Sequence, residues 1–423
     1  MKVASLSARA SLVGPICLIL ATLPRAGVAQ QAQRNASGNP IRTATRTGHV
    51  SNYDEAKVAP YTLPELLVLA NGTRIQTADQ WTRIRRPELL KLYETEIYGK
   101  VPANAPKVFW EAGAETTALN GAAVQKRVVG KVGDAADGPR ISVTLYTPAN
   151  AKSPVPIVLC VNFGGGTGGR GAISSGEPIA DIIARGWGYA SVGYADIQPD
   201  SAAFTQGVIG QTLAAGQTAP PPDGWGTISA WAWGVSRIMD YFETDKAIDA
   251  RQVAIMGHSR LGKTVLWAGA QDPRIAVVFS SCAGEMGSSL ARRDWGETVD
   301  DMAQNFAWQF AGNFQKWPGK WNDMPVDTHM LIALNAPHPV FITGGTTDQW
   351  ADPRGEFLAE VAAGPVYKLL GKKDLGVTEL PALDTPVITG DLGWNYHTGG
   401  HSATPADWKA FLDFASKYLK AKN

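Results

Sequence analysis

From Val155 onward the chain alternates short β-branched apolar runs with segments spaced for helices. Val155 to Val161 is a continuous apolar run, Ile179 to Arg185 is helical, Tyr189 to Tyr194 β-like, Ser229 to Glu243 helical, Val253 to Met256 β-like and Thr264 to Ala270 helical. Ile275 to Ser280, Thr328 to Leu334, Val340 to Thr343, Glu356 to Leu370, Val387 to Thr389 and Asp407 to Leu419 carry the series to the end. An unbroken apolar run marks a strand buried on both faces, and strands that alternate with helices are joined by crossovers. The pattern therefore predicts the α/β class: a mostly parallel central sheet covered by helices on both faces. Ahead of it, Thr77 to Tyr98 has helical spacing with a restart expected at Pro87, and Val124 to Val132 and Ile141 to Tyr146 read as strands.

A chain of 423 residues is long enough for two or three domains of ordinary size. No Pro/Ser/Gly linker interrupts the alternation, so residues 60–423 are expected to form one enlarged catalytic domain, with Pro220, Pro221 and Pro222 in an inserted surface loop. Residues 30–59 are polar and aperiodic, which suggests an irregular arm without chemistry of its own. Lys2 and Arg9 precede the apolar run Leu12 to Leu23 and the small-residue stretch Ala26 to Ala29, the layout of an export signal too short to span a bilayer. Cutting after Ala29 leaves 394 residues and lowers the basic count from 39 to 36 against 38 acidic residues, a net charge of −2.

Charges so closely balanced create no field to hold a polyphosphate or an anionic membrane, so neither nucleic acid nor, once the signal is removed, a membrane is an expected partner. A monomer in the periplasm or outside the cell is expected. Cys17, Cys160 and Cys282 form no C-x-x-C pair and no spacing with histidines that builds a zinc site, so no metal or other cofactor is expected. Export permits a disulfide between Cys160 and Cys282, yet each lies in or beside an apolar β-like run, where a buried thiol is the simpler reading.

Val253 to Met256 leads into Gly257-His-Ser259-Arg-Leu-Gly-Lys263 and then an apolar helical run. A strand, a sharp turn and a helix around one serine lift its hydroxyl above the sheet and aim the backbone N–H groups of the helix start at whatever it attacks. The common form of this turn carries glycine two positions after the serine; here Leu261 stands there and Gly262 one later. The alternative is that Ser259 merely caps a helix.

A serine nucleophile needs a base, and the base needs an acid to orient it. On folds with this turn, acid and histidine follow the nucleophile in the chain. His49 and His258 are excluded by position, while His329 lies in a helical stretch and His338 at the entrance to a strand. His397 and His401 remain, in the loop before the terminal helix, which begins at the capping Thr404 with Pro405 first inside. Gly399 and Gly400 allow the chain to fold His401 back, so it is preferred, with His397 as a packing residue. After Val340 to Thr343 come Asp348 and Asp352; Asp352 stands before a proline and a helical run, as an N-cap does, which leaves Asp348 as the acid and Glu285 as its rival.

Gly257-His-Ser-Arg-Leu-Gly-Lys263, with Ala230-Trp-Ala-Trp-Gly-Val-Ser-Arg237, closely resembles the glucuronoyl esterases, carbohydrate esterase family 15. The likeness runs from about Leu63, through Arg85-Arg86-Pro87-Glu88, to Tyr418, with His258 replacing the cysteine of the family's G-C-S-R-x-G-K. It implies an α/β-hydrolase fold and a serine esterase that cleaves the ester joining 4-O-methylglucuronic acid of glucuronoxylan to lignin alcohols. It implies Ser259 as nucleophile, Arg260 as oxyanion stabiliser and His401 as base, with Lys263, Glu297 and Trp350 on the sugar. Some members place the acid where this chain has Cys282, which leaves that task to Asp348. A guanidinium beside the serine does little for an uncharged ester and much for the oxyanion formed from it. Trp350 offers a flat face to a sugar ring, and Glu297 and Lys263 offer an acceptor and a donor. Plainer roles exist for each: core for Trp350, a helix cap for Glu297, a solvated position for Lys263. Asn162 to Gly166 either adds an oxyanion N–H or simply turns the chain. The rival functions are another carbohydrate ester hydrolase, such as an acetyl xylan esterase, and a non-catalytic glycan-binding protein on the same fold.

Overall fold

A computed structural model describes residue 1 and residues 33–135, 138–164 and 178–422, so all but the first residue of the expected export signal lies outside the described residues. Among the described residues ten strands form one sheet: β1 Val108–Ala112, β2 Thr116–Ala118, β3 Ala123–Val132, β4 Arg140–Pro148, β5 Val155–Asn162, β6 Gly188–Gly193, β7 Ile248–His258, β8 Ile275–Ser281, β9 Val340–Gly345 and β10 Leu392–His397. Their order is β1-β3-β4-β6-β5-β7-β8-β9-β10, with β2 paired to β3. The pairs from β1 to β6 along this path are antiparallel. From β6 to β10 every pair is parallel.

Side-chain alternation along the parallel strands fills two cores. Ile157, Leu159 and Val161 of β5 and Val253 and Ile255 of β7 pack with residues of the helices Arg86–Glu96, Thr227–Phe242, Arg260–Gln271, Thr328–Leu334 and Pro353–Leu369. Val158 and Cys160 of β5 and Ala254 and Met256 of β7 pack instead with Ile182 of the helix Ile179–Ala184 and Trp408 and Phe411 of the helix Pro405–Ala415. Helices thus cover both faces, as the unbroken apolar runs require.

The helix expected over Thr77 to Tyr98 begins with a capping box between Thr77 and Gln80 and continues through a π-helical turn, Trp81–Arg85, into Arg86–Glu96. Pro87 has no N–H to give, and the wider turn just before it accommodates the missing bond. Arg86 donates to the carbonyls of Ala270 and Leu334 at 2.7 and 3.2 Å, at the C-terminal ends of two core helices, where a cation also meets the negative end of each helix.

Three expectations need amendment. Val387 to Thr389 is not a strand; Val387 makes an isolated bridge to Trp394, and the last strand is β10. His397 therefore ends a strand instead of standing in a loop, because Trp394 is buried and packs edge-on against Phe357, 5.7 Å between centroids. The short strands β1 and β2 escaped notice, since the apolar run of β1 is only Val108-Phe-Trp and the mostly exposed β2 has none. Cys160 and Cys282 are both buried and not joined. Among the described residues no helix is long and apolar enough to cross a membrane.

Candidate active site

Ser259 stands between the end of β7 and the helix Arg260–Gln271 with φ 60° and ψ −130°, a conformation that costs a non-glycine residue energy. Its N–H donates to Ser281 O at 2.8 Å and its carbonyl accepts from Gly262 N at 2.8 Å, which hold the turn. A Cβ on residue 257 would lie 2.1 Å from the carbonyl oxygen of Leu261, so only glycine lets the chain fold back this sharply. Gly262, displaced by one from its common position, serves packing: a Cβ there would come within 2.9 Å of both Ala283 Cβ and Ser280 Oγ. Leu261 is buried in the core.

β7, β8, β9 and β10 are parallel neighbours, so the segments that follow them leave the same edge of the sheet. Asp348 comes from the segment after β9 and His401 from the segment after β10. Thr346 N donates to His397 O at 3.0 Å and Thr347 N to Gly399 O at 2.8 Å, which stitches the two segments together. His401 Nδ1 lies 2.7 Å from Asp348 Oδ2, with Asp348 buried and the imidazole exposed. The His401 ring rests on that of His258, the residue before the serine, with 4.5 Å between centroids. The candidates for nucleophile, base and acid are thereby brought to one edge.

The competing residues have other partners. His397 is buried, its Nδ1 3.0 Å from Asp407 Oδ2 and its Nε2 3.1 Å from Gly400 O. Burial works against its charge, but the hydrogen bond and charge of Asp407 outweigh this and raise its pKa. Asp352 accepts from Gly355 N at 3.0 Å as the N-cap of the helix Pro353–Leu369 and pairs with Arg293. Glu285 is buried, one carboxyl oxygen has no hydrogen-bond partner, and burial pushes its pKa well above the usual carboxylate range. Among the described carboxylates, Asp348 is the one bonded to His401. Cys282 follows β8, its thiol pushed up by burial.

Arg260 is engaged by Asp200. One guanidinium nitrogen pairs with Asp200 Oδ2, and the group lies 5.3 Å from the centroid of Phe306 and 6.0 Å from that of Phe163. Asp200 Oδ1 accepts from Trp308 Nε1 at 2.7 Å and Gln309 Nε2 at 2.8 Å, so three donors fix this carboxylate. Lys263 is buried, donates to Ala283 O at 2.6 Å and has its pKa lowered by desolvation. Glu297 accepts from Trp350 Nε1 at 2.9 Å, and burial raises its pKa. Gly165 and Gly166 lie outside the described residues.

The N-terminal arm, read as chemically idle, reaches this group. Asn39 Oδ1 accepts from Trp350 N at 3.1 Å, and the Arg42 guanidinium lies 4.8 Å from the Trp350 ring centroid. Asn39, Arg42 and Asp200 were missed because they carry no motif, whereas His258, named within the serine turn, was set aside by position and its contact with His401 not anticipated. Phe306-Ala-Trp308-Gln309, a cluster of aromatics between helical runs, is the one missed element with a visible signal.

Residues 221–371 match the family model for fungal glucuronyl esterases, a stretch that contains Ser259, Arg260, Lys263, Glu297, Asp348 and Trp350 but not His401. Carbohydrate esterase MZ0003 of an unknown prokaryotic organism is 39% identical over 398 residues, 87% of this chain and 92% of that protein. The structure of a glucuronoyl esterase from Solibacter usitatus is 40% identical, with TM-score 0.81 over 86% of this chain and 99% of that one. A 4-O-methyl-glucuronoyl methylesterase of Phanerochaete chrysosporium is 29% identical over 325 residues, 74% of this chain and 63% of that protein. With the α/β-hydrolase fold, the strained serine turn and these relatives in hand, the chain belongs to the glucuronoyl esterases of carbohydrate esterase family 15, which are carboxylic ester hydrolases.

Proposed function

We propose that this chain is a secreted serine esterase that hydrolyses the ester between 4-O-methylglucuronic acid of glucuronoxylan and lignin alcohols through an acyl-enzyme. The observation that carries this reading is the 2.7 Å contact of His401 Nδ1 with Asp348, with the His401 ring against His258, the residue before a serine held at φ 60°. With Nδ1–H given to the carboxylate, Nε2 is left as the basic nitrogen.

In the first half-reaction Ser259 Oγ attacks the ester carbonyl and His401 Nε2 takes its proton. The tetrahedral intermediate collapses, the C–O bond to the alcohol breaks, and His401 returns the proton to the departing oxygen. In the second half, water attacks the acyl-serine, its proton goes to His401 and then to Ser259 Oγ, and glucuronate leaves. Arg260, held by Asp200, sits beside the nucleophile as the cation for the oxyanion. Trp350 stacks on the sugar, with Glu297 and Lys263 on its hydroxyl groups. Residues 1–29 act as the export signal, residues 60–423 as the catalytic domain, and the mature chain works as a monomer without a cofactor.

Turnover of methyl 4-O-methylglucuronate beside an aryl acetate tests the substrate class. Preference for the glucuronate is expected; activity on the acetate alone refutes it. Labelling by a serine-directed phosphonate is expected to disappear in Ser259→Ala, and labelling that persists removes Ser259 from its role.

A further inference from the structure

Cys282 has no part in the reaction above, yet its thiol lies beside Asp348 and His401. One ligating atom from each of Cys282, Asp348 and His401 lies within 4.8 Å of the other two. The three bring together a sulfur, a carboxylate oxygen and an imidazole nitrogen, a donor set that suits zinc and other thiophilic divalent cations and not magnesium or calcium. We infer that Cys282, Asp348 and His401 form a soft-metal site at which a zinc ion binds as a reversible inhibitor of the esterase.

The geometry asks for little movement. Tetrahedral zinc, with bonds of about 2.0–2.3 Å, holds its ligand atoms roughly 3.2–3.7 Å apart. Asp348 and His401, now 2.7 Å apart, part slightly, and the sulfur closes in by up to about 1 Å. The backbone around two of the ligands is already fixed: Cys282 N donates to Thr343 O at 2.8 Å and Asp348 N to Gly345 O at 3.1 Å. The third ligand adapts, because the His401 side chain is 43% exposed while that of Asp348 is 5% exposed. An ion arriving from solvent meets the imidazole first and finds the carboxylate and thiol behind it. Three protein ligands leave a fourth position for water, and one thiolate and one carboxylate balance the charge of the ion. On coordination the thiol proton passes to solvent and the Asp348–His401 hydrogen bond is replaced by two metal bonds. The base is then unable to accept the serine proton.

The inhibitory consequence rests on the catalytic reading above; the binding itself does not, and the test separates them. Cobalt(II) added to the intact protein is expected to give a near-ultraviolet sulfur-to-cobalt charge-transfer band with the visible bands of a tetrahedral site. Both should vanish in Cys282→Ser and in Cys282→Ala and survive in Cys160→Ser. No band in the parent protein, or a band that persists in the Cys282 variants, overturns the site whatever the enzyme hydrolyses. In the ester assay, zinc is expected to inhibit and a chelator to restore activity. The Cys282 variants, with turnover near that of the parent, should need at least about tenfold more zinc; equal sensitivity overturns the inhibitory role.

Discussion

The imidazole of His258 lies against that of His401, with 4.5 Å between ring centroids and 53° between planes, and its Nδ1 sits 3.1 Å from Ser281 Oγ. Burial first, and then the neighbouring His401 and His397, lower its pKa from 6.5 to about 3. His258 thus stays neutral beside the proposed base.

That neutrality carries a cost in acid. Between pH 6.5 and about 3 the unfolded chain binds a proton at this residue that the native state refuses, so stability rises with pH across this window and falls as pH drops below 6.5. The loss from this group between pH 6.5 and 5 is about 2 kcal/mol. His258→Gln is expected to flatten the acid limb of stability, measured by denaturant unfolding at pH 7 and 5. A variant with the parent's slope would show that the group is not refused its proton.

Asp348→Asn is expected to leave the fold intact and lower kcat by roughly a thousandfold to ten-thousandfold, because an amide favours the wrong tautomer of His401. Steady-state kinetics with the glucuronate ester provide the check. Near-normal turnover would move the acid's role to Glu285, a buried carboxyl in the segment after β8.

Arg260→Ala should cut kcat by about a hundredfold to a thousandfold with little change in KM, as loss of an oxyanion partner does. Asp200→Asn should act in the same direction and less strongly, since it loosens the guanidinium without removing it. If only KM changes, Arg260 docks the substrate and does not stabilise the oxyanion.

Asp407 holds the loop that carries His401. It accepts from Thr404 N at 2.7 Å and Asn395 Nδ2 at 2.8 Å and pairs with His397. Asp407→Asn is expected to destabilise the protein by about 3 kcal/mol, the cost of a buried charge left without its partner, and to lower kcat with it. Because the folded pKa of His397 is raised, the pair's contribution is fully present below pH 6.5 and fades as pH rises through the folded value. Thermal melts from pH 5 to 9 should show this fade in the parent and not in the variant; an unchanged pH profile would mean the pair is not ionic.

Much of the site was legible because its local signals are strong. Val253 to Met256, Gly257 and the apolar run after Lys263 specify a strand, a tight turn and a helix whatever surrounds them. Thr404 and Pro405 mark the terminal helix in the same way, and the helix does begin at Pro405. The boundary of the last strand was missed because Val387 to Thr389 and Leu392 to His397 are both short and apolar, and pairing with β9 chooses between them.

The residue order by itself determined the α/β class, the turn around Ser259 and the short set of histidines and acids able to serve it, since each depends on backbone preferences within about ten positions. Only the tertiary structure decided that Asp348 meets His401, that Asp200 holds Arg260, that the N-terminal arm reaches Trp350, and that Cys282 stands beside Asp348 and His401. Those contacts join residues that are distant along the chain, and nothing in local propensity encodes which segments a parallel sheet will deliver to the same edge.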